Sequence, residues 1–326
     1  MKHRASLVAV GLAALALTVS AQERDRAKVA DQYKWNLADL YPSDAAWRAD
    51  KDGAQAALAD LRQYKGRLAS SSSTLADALD RFFGLDKRLS KVAVYAGLLA
   101  DQDTRDSAHQ GMRQEMSDLF SAFGAESAFI EPEVLRFPEG TVARFLASEP
   151  RLKIYAFYLQ DIARRAPHTL SENEERILAN LGPLAGSSSN TFNILSNADF
   201  PYPTVTLSDG KAATVDQAGF ALLRASPNRA DREKVMSAFF TALGSFSRTF
   251  GTTINGEAQK VLFSAKTRNY SNALASQLDG PNIPESDYTR LIDGVNKELP
   301  VFHRYLKLRK RMMGLDTLHY YDLYAP

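Results

Sequence analysis

The sequence predicts a mostly α protein with one small β element. Apolar side chains recur every three or four residues along most of the chain, the period of a helix with one buried face. A helix-start signal, Ser171 followed by Glu174, stands near its middle. Only one stretch, "FPYPTVTLSDGKAATV", alternates as a strand requires.

Taken in order, the first stretch stands apart. Lys2 and Arg4 precede an uncharged run from Ala5 to Gln22 rich in Leu, Ala and Val, and Val19-Ser20-Ala21 supplies a small-residue cleavage pattern. Together they predict a secretory signal peptide over residues 1–21. The competing reading is an uncleaved membrane anchor, since the run is nearly long enough to span. Its Ala and Gly content and the cleavage-like tripeptide favour export, to the periplasm or the outside of the cell. No Cys follows to carry a lipid, and no second apolar run of spanning length occurs, so no membrane partner is expected after cleavage.

Ser43 caps a predicted helix whose apolar stripe is Trp47, Ala54, Leu58 and Leu61. Thr74 opens a longer one with Leu75, Leu79, Phe82, Leu89, Ala93, Ala96 and Ala100 on one face. A third begins near Thr104 and carries Met112, Met116, Leu119 and Phe123. Long helices with short polar connections fold back on each other as hairpins. Pro132, Pro138, Pro150 and Pro167 then punctuate shorter helices, one of which holds Leu152, Tyr155, Tyr158 and Ile162. Ser171 and Glu174 form a capping box. "GSSSN", Gly186 to Asn190, reads as a linker too short to mark a domain boundary by itself.

Thr204 to Leu207 is β-branched and alternating, and Asp209-Gly210 is a turn pair that favours a tight hairpin. After it Val235, Phe239, Leu243, Phe246, Phe250 and Ile254 return to helical spacing. Pro284 starts a further helix, which Pro300 kinks or restarts before a basic tail. No internal repeat is present.

The composition, 45% hydrophobic and 24% charged, is that of an ordinary globular chain. Cleavage after Ala21 removes Lys2 and Arg4 and no acid, which leaves 38 basic residues against 38 acidic ones. That balance argues against nucleic acid as a partner. With no cysteine an exported chain has no disulfide to staple it, so about 305 mature residues must supply a sufficient core.

Site patterns are mostly lacking. The sequence has no G-x-S-x-G, no Gly-rich phosphate loop and no Cys. Of His3, His109, His168, His303 and His319, none has a second His three or four residues away, so no helical metal pair exists. His319 and Asp322 make an H-x-x-D; on a helix they would share a face and could hold a metal or relay a proton, against the plainer reading of a surface His beside a capping Asp. His303, between Phe302 and Tyr305, is expected to be packed and hydrogen-bonded.

Arg304, Lys307, Arg309, Lys310 and Arg311 form the densest basic cluster, either an anionic-surface site or, as favoured, a solvated face whose partner lies further along the chain. Glu174 and Glu175 are accounted for by capping and the helix dipole. Residue by residue, no catalytic group, no metal ligand and no substrate-binding residue can be assigned.

Several segments, in order, resemble the oligoendopeptidase F branch of the M3 zinc metallopeptidases. "YKWNLADLYPSDAAW" is similar to that family's N-terminal opening, "LSENEERILANL" to a helix start, and "FNILSNADFPYPTVTLSDG" to a sheet entry. The most specific stretch holds Arg268-x-Tyr270, Asn282-Ile283-Pro284 and the closing Tyr321-Asp322-Leu323-Tyr324.

The resemblance implies a helical N-terminal lobe of hairpins followed by the start of a helical metallopeptidase domain with a small β-hairpin. It divides the chain into the signal peptide 1–21, an oligopeptidase F-like helical domain 22–199, and an incomplete catalytic domain 200–326. It further implies that the complete protein binds zinc through H-E-x-x-H and a later Glu and cuts internal bonds of short peptides. None of those residues occurs here, so the chain, ending in "LYAP", is expected to stop before the metal site, to be inactive alone and to have the missing C-terminal catalytic half as its partner. The alternative is a non-catalytic helical module that binds peptides or a protein. The Thr204 to Leu207 hairpin is expected to be structural rather than an edge for peptide pairing.

Overall fold

The computed structural model describes residues 28–326. The signal peptide expected over residues 1–21 lies outside them. The described chain is helical with a single two-stranded antiparallel sheet, and no helix in it is long and apolar enough to cross a membrane. It separates into two compact units, one holding residues 202–241 and 320–326, the other residues 30–201 and 242–319.

The larger unit begins with α1 (Asp44–Ala57), whose first turn is capped by the Ser43 hydroxyl accepting from the Ala46 N–H at 3.2 Å. A 3-10 segment, Leu58–Tyr64, buries Leu58 and Leu61. The long α2 (Ser72–Gln102) starts two residues before Thr74, capped by Ser71, whose hydroxyl accepts from the Thr74 N–H at 3.0 Å. Asp106 caps α3 (Ser107–Ser127) by accepting from the Ala108 and His109 N–H groups. The two fold back as the expected hairpin.

Short helices follow: α4 (Ile130–Leu135), α5 (Thr141–Ser148) and α6 (Ala156–Arg164). Trp47, Leu61, Leu79, Leu89, Leu152 and Ile162 are fully buried in the core these elements share. Each such side chain contributes about 1.5–3 kcal/mol of transfer free energy. Phe82, Phe83, Phe123, Tyr155 and Tyr158 stack into an aromatic seam with centroids about 5–6 Å apart.

Next come α7 (Glu172–Asn180), α8 (Gly182–Ala185) and α9 (Ser187–Ile194), which runs into a π-helical turn, Leu195–Asp199. The "GSSSN" stretch is therefore helical and not a linker. The reason is tertiary: α9 packs on α12 (Ser247–Thr267), and Gly256 approaches so closely that a Cβ there would collide with the Ser188 side chain. Such packing overrides the weak helix propensity of serine and asparagine.

The smaller unit contains β1 (Thr204–Thr206) and β2 (Ala212–Thr214), paired in the register Thr204↔Thr214 and Thr206↔Ala212. Asp209-Gly210 makes the turn as expected, with Gly210 at φ +82°, where glycine carries no steric cost. Asp216 caps α10 (Gln217–Leu223), and α11 (Arg229–Ser245) follows.

In the larger unit the chain continues from α12 into α13 (Ala273–Asp279), capped by Asn272, and α14 (Glu285–Met312). Pro284 precedes α14 as expected, but the helix runs through Pro300 as one element rather than restarting there.

Candidate functional site

Three places in the fold bring chemistry-bearing side chains together. The first is in the smaller unit. Asp322 is completely buried in a 3-10 turn, Tyr320–Asp322. Arg229 donates to both of its oxygens at 3.0 Å, and the equally buried Arg232 donates to Oδ1 at 3.0 Å and to the Tyr321 carbonyl at 2.8 Å. Arg232 also donates to the Ser226 and Pro227 carbonyls.

A buried charge persists only when paired and hydrogen-bonded in this way. The carboxylate is thus a clamp for the segment that carries it. His319 is exposed and precedes the turn outside any helix, so the H-x-x-D spacing is not helical. Asp322 is neither a surface cap nor a metal or proton site.

The second place lies in the larger unit, between α7 and the segment from Arg268 to Asp279. Glu174 completes the capping box, accepting from the Ser171 N–H at 3.0 Å. Glu175, which capping and dipole were expected to explain, does something else. It takes a two-pronged pair from Arg268 at 2.8 and 2.7 Å and accepts from the Leu170 N–H at 3.0 Å. Burial alone would raise the pKa of Glu175, but the Arg268 bonds, the Leu170 N–H and the guanidinium charge outweigh it and hold the group below its ordinary value.

His168 sits alongside, its ring stacked on Tyr270 at 3.7 Å and its Nδ1 2.8 Å from the Arg268 carbonyl. A carbonyl only accepts, so Nδ1 carries the proton. The Tyr270 hydroxyl donates to Asp279 at 2.7 Å, and burial followed by that carboxylate pushes the phenol up to about 12. Arg164 donates to the Asp279 carbonyl at 2.8 Å as well as to its carboxylate. Beside this network opens a cleft of about 450 Å³ that includes Asn282 and Ile283. Tyr270 of the Arg268-x-Tyr270 motif and Asn282-Ile283-Pro284 therefore line one cleft. Each carboxylate in the network is held by an arginine, so neither is available as a base; the arrangement is a latch.

The third place is a polar cleft of about 610 Å³ between α3 and α9. Asn190 and Asn193 of α9, and Asn197 of the π-helical turn, line one wall, facing Gln110 and Gln114 of α3. Arg113 donates to the Gly97 carbonyl at 3.0 Å and pairs with Asp101, so the charge in the cleft is neutralised. Hydroxyls of Ser117, Ser187 and Ser189 also line it with no base of His type among the lining residues, and the cleft can hold a hydrogen-bonding ligand. Reading "GSSSN" as a linker hides it in the sequence. The signal was the 190, 193, 197 spacing of asparagines on one helical face.

The remaining expectations resolve plainly. His303 is exposed on α14 and not packed, because α14 buries none of its residues. Arg309, Lys310 and Arg311 occupy the last turn of α14, where cations suit the helix dipole. Among the described residues no three His, Cys, Asp or Glu side chains converge as a metal site.

Comparison with known proteins bears on what these elements belong to. Residues 133–202 match the family described as Oligopeptidase F, and residues 222–326 match Peptidase family M3. The chain is 35% identical over 302 residues to Oligopeptidase PepF of Bacillus subtilis, covering 93% of this chain and 45% of that protein. It is 32% identical to the group B oligopeptidase PepB of Streptococcus agalactiae, again over 93% of this chain and 50% of the relative. The crystal structure of oligoendopeptidase-F from Enterococcus faecium superposes with a TM-score of 0.82 at 33% identity, over 87% of this chain and 56% of that one. The chain thus spans about half the length of the relatives it matches.

Proposed function

Because the chain belongs to the oligoendopeptidase F branch of peptidase family M3, we propose that it forms the helical, substrate-enclosing part of an exported zinc endopeptidase that cleaves internal bonds of short peptides. The observation that carries this reading is the agreement along the chain of two family matches, in order, with a relative 35% identical over 93% of it. Helical walls admit extended short chains and exclude folded proteins, which gives such a part a steric role in selecting substrate.

The residues present do not fit zinc. The sequence contains no H-E-x-x-H, and the described residues bring no suitable set of donors together. In the proposed whole protein the metal, its ligands and the general base come from sequence beyond these 326 residues. The exposed apolar residues of α14, among them Leu291, Val295 and Phe302, supply a face for that further sequence to cover. The export part of the proposal rests on the leading segment with its Val19-Ser20-Ala21 pattern.

The test is to read the DNA after the Pro326 codon and express what it encodes. The expected result is an in-frame H-E-x-x-H and a secreted protein that hydrolyses an internally quenched peptide, loses that activity to 1,10-phenanthroline and regains it with Zn²⁺. The 326-residue chain alone is expected to show none. Chelator-sensitive hydrolysis by the short chain, or a stop codon at that point, overturns the proposal; the stop codon would leave a non-catalytic binding module.

A further inference from the structure

We propose that the cleft between α3 and α9 binds the main chain of an extended peptide whatever its sequence, through a ladder of amides from Asn190, Asn193 and Asn197. This rests on the peptide-substrate reading above and adds to it a site away from any bond cleavage.

The ladder is chemically matched to a peptide backbone. A primary amide offers a donor and an acceptor side by side, the same pair that each residue of an extended chain presents. The side-chain amides of Asn190 and Asn193 make no hydrogen bond within the described chain. Asn197 donates to the Asn193 carbonyl at 2.9 Å, which fixes its orientation and leaves Oδ1 to accept. On the opposite wall Gln110 and Gln114 are each anchored through Nε2, to the Ala100 carbonyl and to Asp118, both at 3.1 Å, leaving their Oε1 atoms as acceptors.

Geometry agrees with chemistry. Residues three or four apart on a helix stand about 5–6 Å apart at Cβ. Alternate residues of an extended chain repeat about every 6.6 Å, within the reach of an amide head. The π-helical turn Leu195–Asp199 carries Asn197, and widened turns of this kind are rare and concentrate at functional sites.

Asparagine is also a poor helix former, so a face of α9 kept in asparagine works against local stability and calls for another use. The ligand class follows from what is lacking. With Arg113 neutralised by Asp101, the cleft has no unpaired cation for a phosphate, and no aromatic ring lines it for a base to stack on. Its volume lies within the range of about 300–1,000 Å³ usual for ligand clefts.

The test uses the purified 326-residue chain without added metal and a fluorescein-labelled Ala/Ser octapeptide, followed by fluorescence anisotropy. Saturable binding is expected, unchanged for an octapeptide of different order and at least tenfold weaker for its N-methylated counterpart, which has lost its donors. Replacing both amides in N190A/N193A is expected to weaken binding about tenfold, or about 1.4 kcal/mol, with an unaltered circular dichroism melt. Thr191→Ala, on the same helix but outside the cleft, should bind as the parent does.

Equal affinity for the N-methylated peptide, or for the folded double variant, overturns the proposal. So does displacement of the peptide by maltohexaose at lower concentration than by unlabelled peptide. Because nothing is hydrolysed, failure here leaves the peptidase proposal standing, and a stop codon after Pro326 leaves this one standing.

Discussion

Two long amphipathic helices in the larger unit invite comparison. α2, of 31 residues, buries ten of them, from Leu75 to Ala100. α14, of 28 residues, buries none, and Leu291, Val295, Phe302 and Tyr305, spaced along one face, are all more than half exposed. Both carry apolar residues at helical spacing, α14 being the more polar; the surroundings differ. α2 has α1, α3 and the Leu58–Tyr64 segment against it, whereas α14 touches little beyond α13.

Periodicity thus reports that a face needs covering and says nothing of what covers it. Without burial α14 relies on its length, on Glu285 and Asp287 at its start and on the basic residues of its last turn, while Pro300 works against it by removing a backbone bond. The covered helix should carry the stability of the chain, and the uncovered one its capacity to associate.

The sharpest way to break that contrast is Trp47→Ala. Trp47 is fully buried, and its indole N–H donates to the Val92 carbonyl of α2 at 2.8 Å. Loss of the ring leaves a large cavity beside α2, with an expected cost of about 3–5 kcal/mol in urea unfolding followed by circular dichroism. That is a large share of the roughly 5–15 kcal/mol by which domains are stable. A cost under about 1 kcal/mol would show that the α1–α2 contact does not dominate and would dissolve the comparison.

A smaller effect is expected at the latch that fixes the chain just before α13 and α14. Arg268→Ala removes both bonds to Glu175 and should cost about 1.5–3 kcal/mol, as for hydrogen bonds to charged groups. The latch also gives a pH signature. Burial would raise both Glu175 and Asp279, but Arg268 holds the first below its ordinary value, and Tyr270 with Arg164 does the same for the second.

A depressed carboxylate contributes stability that is fully present above its unfolded pKa and is lost as pH falls through the folded value. Stability of the parent should therefore drop as pH goes below about 4. The drop should be shallower in Arg268→Ala, because the burial that raises Glu175 then loses its main opponent and the group is no longer held as low in the folded state. Parallel curves for parent and variant would remove Glu175 from the account.

How much of this was legible beforehand depended on whether the determinant was local. The helices of the N-terminal core, the capping box at Ser171 and the Asp209-Gly210 hairpin were legible because caps, period and turn residues are short-range signals. The linker reading of residues 186–190 fails because the determinant is a contact between Ser188 and Gly256, far apart in sequence.

The same holds for the candidate sites. Asp322 looked like half of an H-x-x-D pair, yet its partners are Arg229 and Arg232, some ninety residues away. Glu175 looked like a cap because Arg268 could not be placed beside it. His303 was expected to be packed because an amphipathic pattern was taken to guarantee a covering surface, which α14 disproves. The family motifs are visible as strings, but that Tyr270 of the first and Asn282-Ile283-Pro284 border one cleft is a fact of the fold alone.

The smallest expected change is the most informative about α14. Leu291→Ser together with Val295→Ser replaces two exposed apolar side chains on one face. In this chain each loses no burial, so unfolding free energy should move by no more than about 0.5 kcal/mol per site, as for surface positions generally. What should change is association: light scattering at rising concentration should show less self-assembly once the apolar stripe is interrupted. In a longer protein that covers α14, the same two changes would sit in a core and should cost about 2–5 kcal/mol each. Equal and large costs in both would mean that α14 is already covered in the short chain. Equal and small costs would mean that nothing covers it in the long one, and that its apolar stripe serves a partner from outside.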